Sequence, residues 1–207
     1  MKRADQRTVT YRVVVTALLA AFVFVGTLIR IPLGTSKVSV ANAFCAFTGF
    51  VLSPLYAGVA SGLGSLIYDV IYGYGIESLV TFVTKFMIGF VVSVLYRVFR
   101  NHITKQQELK GEHTPLLYVI SAAGALTYTV MYGLKSFIWV LVGLVGAEKL
   151  EGHTGISAAW WWAIGKMSVS MLNAFIAFLV APFLYWGIMP ALKKMGVLSR
   201  LNPPTPE

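Results

Sequence analysis

Apolar residues occur along this chain in long unbroken runs, and short polar clusters separate one run from the next. A bilayer-spanning helix needs about 20 mostly apolar residues, because the hydrocarbon core is about 30 Å thick. The first run, Tyr11 to Ile31, closes at Pro32 and Gly34. From Val38 to Tyr68 there are 31 residues without a charge, which as one helix would measure about 46 Å, too long for an untilted span. Ser53-Pro54 divides that run, since proline lacks an N–H and restricts the residue before it. The halves are a short segment from Val40 to Leu52 and a longer one from Leu55 to Tyr72. The turn Gly73-Tyr74-Gly75 leads into a fourth segment, Ser78 to Phe99, and a polar loop from Arg100 to Thr114 follows. The fifth segment, Pro115 to Val145, and the sixth, Ala158 to Leu192, are long enough to tilt, bend or project. The pattern predicts an all-α membrane bundle of six transmembrane helices, at 11–31, 40–52, 55–72, 78–99, 115–145 and 158–192. It forms one domain over 1–200, and a disordered tail at 201–207 contains three prolines.

Composition agrees with that reading. Hydrophobic residues make up 57% of the chain and charged ones 12%, against about one quarter charged in soluble domains. The formal net charge of +9 is not gathered into a nucleic-acid-binding patch but falls in the loops, where it reports topology. Eleven lysines and arginines lie at the N-terminus, around the 100–114 loop and at the C-terminal end, and three (Arg30, Lys37 and Lys149) lie on the other side. The bias places both termini in the cytoplasm. The uncharged run from Val13 to Ile29 exceeds a usual signal-peptide core and no clear cleavage pattern follows it, so it reads as a retained helix. Cys45 is the single cysteine, which leaves no disulfide framework and no cysteine metal site. His102, His113 and His153 are scattered in loops, so no metal site is expected.

Three lysines remain inside the spans, Lys85, Lys135 and Lys166. An ionisable side chain there costs at least about 2.5 to 3.5 kcal/mol on insertion scales, so each needs a reason. With the topology above, all three and Asp69 fall in the outer half, as they would around a water-filled cavity opening outward. Helical spacing groups Tyr128, Met131, Tyr132, Lys135 and Trp139 on one face of segment five. Trp162, Lys166, Ser170 and Asn173 share a face of segment six. Aromatic area alternating with donors suits a small polar ligand with a planar ring. Competing readings are a structural ion pair between Lys85 and Asp69, an interfacial belt for Trp160-Trp161-Trp162, and snorkelling of Lys135 or Lys166 to the interface.

The stripes Gly58-x-x-x-Gly62 with Ser65 and Ala17-x-x-x-Ala21 let helices approach closely. No GxxxxGK[ST], HExxH, GxSxG or Rossmann fingerprint occurs, so neither ATP hydrolysis nor an enzyme is indicated and no cofactor is expected. No inverted repeat is evident, although a self-sufficient secondary transporter or channel for a small polar solute stays open as the alternative.

Six segments of this size, the Ala17/Ala21 pair, the stretch GFVLSPLYAGVASGLGSLIYDVIYG (Gly49 to Gly73) and VTKFMIG (Val83 to Gly89) together resemble one family. It is the substrate-binding S components of energy-coupling factor (ECF) vitamin transporters, riboflavin-type group, and the likeness extends from Ala17 to about Ala191. The resemblance implies a non-enzymatic binding subunit in the bacterial cell membrane. It captures a water-soluble vitamin or precursor outside for uptake driven by a transmembrane coupling subunit and two ATPase subunits. It also implies that segments four to six and the loop Arg30 to Ser39 enclose the ligand. Candidate substrate-binding residues are then Lys135, Trp139, Lys166, Asn173, Tyr128, Tyr132, Trp162, Lys85 and Asn42, with Thr35, Ser36 and Lys37 as lid contacts. Asp69 and Lys85 are framework candidates, and Ala17 and Ala21 would contact the coupling subunit.

Overall fold

A computed structural model of the chain describes residues 2–33, 36–104, 115–145 and 155–201. Helix α1 (Lys2–Leu28) leads into a hairpin of β1 (Arg30–Leu33) and β2 (Ser36–Ser39), followed by α2 (Ala41–Val51), α3 (Pro54–Ile71) and α4 (Glu77–Val98). Then come α5 (Pro115–Leu141), α6 (Gly155–Lys194) and the short α7 (Val197–Leu201). Among the described residues five helices are long and apolar enough to cross a membrane, and α2 is a shorter apolar helix. The protein is therefore a polytopic all-α bundle.

Pro54 does what its chemistry requires. It occupies the first turn of α3, where a missing N–H costs nothing, and Ser53 before it is extended. The break lets α2 stand apart from α3 as the centre of the bundle. Ten of its eleven residues are buried, and it touches α1, α3, α4, α5 and α6. A helix apolar around its whole circumference belongs in such a place. Its threonine is satisfied locally. The Thr48 hydroxyl bonds the Cys45 carbonyl at 2.7 Å and the Ser61 hydroxyl at 2.8 Å, and Ser93 donates to the Leu52 carbonyl at 2.7 Å.

Around α2 the neighbours run α1, α3, α4, α5, α6. Glycine sets two of these approaches. A Cβ on Gly64 would overlap the Ala20 carbonyl of α1, and one on Gly89 would overlap Ser61 and the Ala57 carbonyl of α3. The Gly58/Gly62 stripe is filled from within the bundle by the rings of Phe86 and Phe82. Ala17 and Ala21 differ, because both are exposed on the outer face of α1.

Several boundaries move. The stretch read as a loop, Arg30 to Ser39, pairs as antiparallel strands with Arg30 opposite Ser39 and Ile31 opposite Val38. Segment one therefore stops at Leu28 rather than Ile31. The fifth helix ends at Leu141, before a turn at Gly143 with positive φ. The sixth begins at Gly155 and continues through Pro182 and Pro190 to Lys194. Residue 201, assigned to the tail, is helical and buried in α7. The rest of the tail, 202–207, lies outside the described residues.

Candidate functional site

A cavity of about 580 Å³ opens at the end of the bundle where the hairpin sits. That is within the usual range of about 300 to 1,000 Å³ for small-molecule sites. Its wall takes Thr27 from α1, Arg30, Lys37 and Ser39 from the hairpin, Ser65 and Asp69 from α3, and Thr81, Thr84 and Lys85 from α4. Tyr128, Tyr132 and Lys135 come from α5 and Asn173 from α6. Residues far apart in sequence meet here because the helix ends converge on one side of α2.

Two charged residues on this wall are buried, Asp69 at 4% and Lys85 at 6% exposed. The expected Lys85–Asp69 ion pair is not formed. Lys85 instead donates to the side-chain oxygen of Asn42, and its ammonium lies 4.5 Å from the centre of the Tyr128 ring. Both partners are neutral, so they solvate the cation without cancelling its charge. Asn42, an expected ligand contact, is 1% exposed and stands behind Lys85 rather than on the cavity wall. Its amide nitrogen, the Ser65 hydroxyl and the Tyr68 hydroxyl are buried without hydrogen-bond partners. A buried donor left so costs about 1–3 kcal/mol, which a ligand acceptor reaching Ser65 would recover in part.

Asp69 pairs with Lys37 of β2 at 3.7 Å. The Lys37 ammonium also lies 4.3 Å from the Tyr74 ring centre. From β1, Arg30 donates to the Tyr74 hydroxyl at 2.8 Å and lies over Tyr68 and Tyr72. That hydrogen bond raises the Arg30 pKa, against a smaller opposing effect of burial. One flank of the hairpin is thus bound to the aromatic end of α3.

The other flank is held by Asn173. Its side-chain oxygen accepts from the Ser39 backbone N–H at 2.7 Å, and its amide nitrogen donates to the Lys37 carbonyl at 3.0 Å. One side chain of α6 thereby completes the outer hydrogen bonding of β2, as a third strand would. Expected from sequence to hold ligand, Asn173 reaches the cavity while holding the hairpin across it.

The α5 face assembles as its spacing predicts. Tyr128 and Tyr132 stack with centres 5.4 Å apart, and the Lys135 ammonium lies 4.9 Å from Tyr132 and 3.9 Å from Trp139. Lys135 also binds Glu77 of α4 at 3.1 Å. That pair separates the main cavity from a smaller one of about 210 Å³, lined by Trp139, Trp162 and Lys166 among others. The Lys166 ammonium lies 4.8 Å from the Trp162 ring. Of the tryptophan run, Trp160 and Trp161 are exposed, and Trp160 packs on Phe137. Ser170 turns away from the cavity and donates to Thr129 of α5 at 3.1 Å.

Thr35 lies outside the described residues. Ser36 is placed by its backbone, opposite Leu33 in the hairpin. Glu77 and Tyr74 are not among the residues singled out from sequence, and Arg30 and Ser39 are named there only as the ends of the enclosing loop. No pattern within segments marks them, because Glu77 meets Lys135 across 58 positions and Arg30 meets Tyr74 across 44. Among the described residues no cluster of three or more His, Cys, Asp or Glu could hold a metal.

Residues 7–189 match the family model of the ECF-type riboflavin transporter, S component. The chain belongs to this family. Its members are transporter S components rather than enzymes, so this S component is a substrate-binding subunit of a membrane transport system. No curated protein and no solved structure gave a significant match. The cavity beneath the hairpin is accordingly the candidate substrate site of the S component.

Proposed function

We propose that this S component captures a water-soluble vitamin or vitamin precursor at the outer face of a bacterial cell membrane and surrenders it to an ECF module. The ligand has a planar ring and an anionic or carbonyl-rich group. The observation that carries this reading is Lys85, a buried ammonium on the cavity wall whose direct partners are neutral. An anionic group against it would supply the missing countercharge. Tyr128 and Tyr132 offer the ring a stacking surface, and Lys135, Trp139, Trp162 and Lys166 extend the site into the smaller cavity. The family description names riboflavin, and a flavin is one member of the chemical class that these walls fit.

In this reading the hairpin is the lid, and opening it breaks the contacts of Asn173, Arg30 and Lys37. The exposed small-residue face around Ala17 and Ala21 meets a transmembrane coupling subunit, and two ATPase subunits supply the energy. In this reading both termini are cytoplasmic, an orientation that the loop charges support. Mass spectrometry of small molecules that copurify with the protein identifies the ligand. Calorimetry with that molecule then tests the site. Lys166→Ala is expected to weaken binding at least tenfold, about 1.4 kcal/mol; unchanged affinity would remove the smaller cavity from the site.

A further inference from the structure

A third cavity, of about 440 Å³, lies at the opposite end of the bundle from the hairpin and has a different character. Its floor is Phe50 and Val51 at the end of α2, Met189 of α6 and Leu198 of α7. Above them Tyr96 and Tyr185 face each other with hydroxyls 3.0 Å apart. The rim is cationic. Arg97 stands in the last turn of α4, Arg100 in the helical turn that follows, and Lys193 in the last turn of α6. Among the described residues no carboxylate lines the cavity, and neither ion pair found there involves these three. Three cations converging without an acid are mutually repulsive, and a bound anion relieves that repulsion.

Free phosphate would use the rim and leave the aromatic and aliphatic floor empty. A phospholipid uses both. Arg97 and Lys193 stand in the last turns of helices long and apolar enough to span a bilayer. In the topology proposed above, on which this inference rests, those ends are cytoplasmic, where basic pockets between such helices hold anionic headgroups. We propose that this cavity binds an anionic phospholipid of the cytoplasmic leaflet. Its phosphodiester is held by Arg97, Arg100 and Lys193, and its glycerol and first acyl carbons lie over Phe50, Met189 and Leu198. The short helix α7 supplies one wall and is held in place from α1, where Arg12 donates to the Leu201 carbonyl at 3.0 Å.

The test is native mass spectrometry of the full chain released from nanodiscs containing equal phosphatidylglycerol and phosphatidylcholine. The wild type should retain one phosphatidylglycerol with at least a tenfold preference. Arg97→Gln/Arg100→Gln should lose that preference at an unchanged melting temperature, and Lys193→Gln alone should reduce it if the double variant does not fold. Lys194→Gln, one residue outside the cavity lining, should keep it. Equal retention of the two lipids by the wild type overturns the proposal, as does equal loss in the Lys193 and Lys194 variants. Displacement of the lipid by millimolar glycerol 3-phosphate would assign the cavity to a free phosphate instead and overturn the lipid assignment.

Discussion

Replacing Lys85 with methionine shortens the side chain by one heavy atom and removes its charge. Because a buried charge is costly even when solvated by Asn42 and Tyr128, Lys85→Met should leave the protein as stable or more so. The same change should weaken ligand binding at least tenfold, about 1.4 kcal/mol. A fall in melting temperature with unchanged affinity in calorimetry would make Lys85 a structural residue. Asn173 invites a different expectation. Asn173→Ala deletes both hydrogen bonds to β2, so it should weaken binding at least tenfold mainly through faster dissociation, measurable by stopped-flow mixing. A matching loss in association rate would instead indicate direct ligand contact. At this scale the sequence was informative about types and poor about partners. An intramembrane lysine is conspicuous by its cost, which made Lys85 and Lys135 legible. That Asp69 would choose Lys37 over Lys85 depends on a hairpin whose position no local pattern records.

Among the elements, α2 and the hairpin contrast in how they were read. The short central helix was visible because Ser53-Pro54 interrupts an apolar run too long for one span. The hairpin was not visible as strands. It has only four residues on each side and little alternation, and its outer edge is completed by Asn173 more than 130 positions away. Close helix approach makes a further prediction. Gly89→Ala places a methyl group against Ser61 and the Ala57 backbone, where a rigid carbonyl cannot yield. It should destabilise the α3–α4 contact by about 1–3 kcal/mol, as overpacking usually does. Thermal unfolding in detergent measures this, and Gly165→Ala, where a Cβ meets nothing within 4 Å, is the control.

For the whole molecule, the cavities at the two ends of the bundle differ in chemistry. The hairpin end carries aromatic and charged groups of both signs, and the other carries cations over an apolar floor. The sequence contains no P-loop motif, and in the proposed reading the energy comes from partner subunits. Liposomes containing this protein alone should bind the copurified ligand and not accumulate it, whereas addition of the coupling subunit, the ATPases and ATP should start uptake. Uptake by the isolated chain would restore the self-sufficient transporter as the better reading. The Ser39–Asn173 hydrogen bond has one more consequence. The Ser39 amide proton is sequestered only while β2 lies against α6, so its rate of deuterium exchange is an intrinsic clock for how often the entrance unlatches. No ligand is needed to read it, and the slowing caused by any added compound would rank candidate cargoes directly.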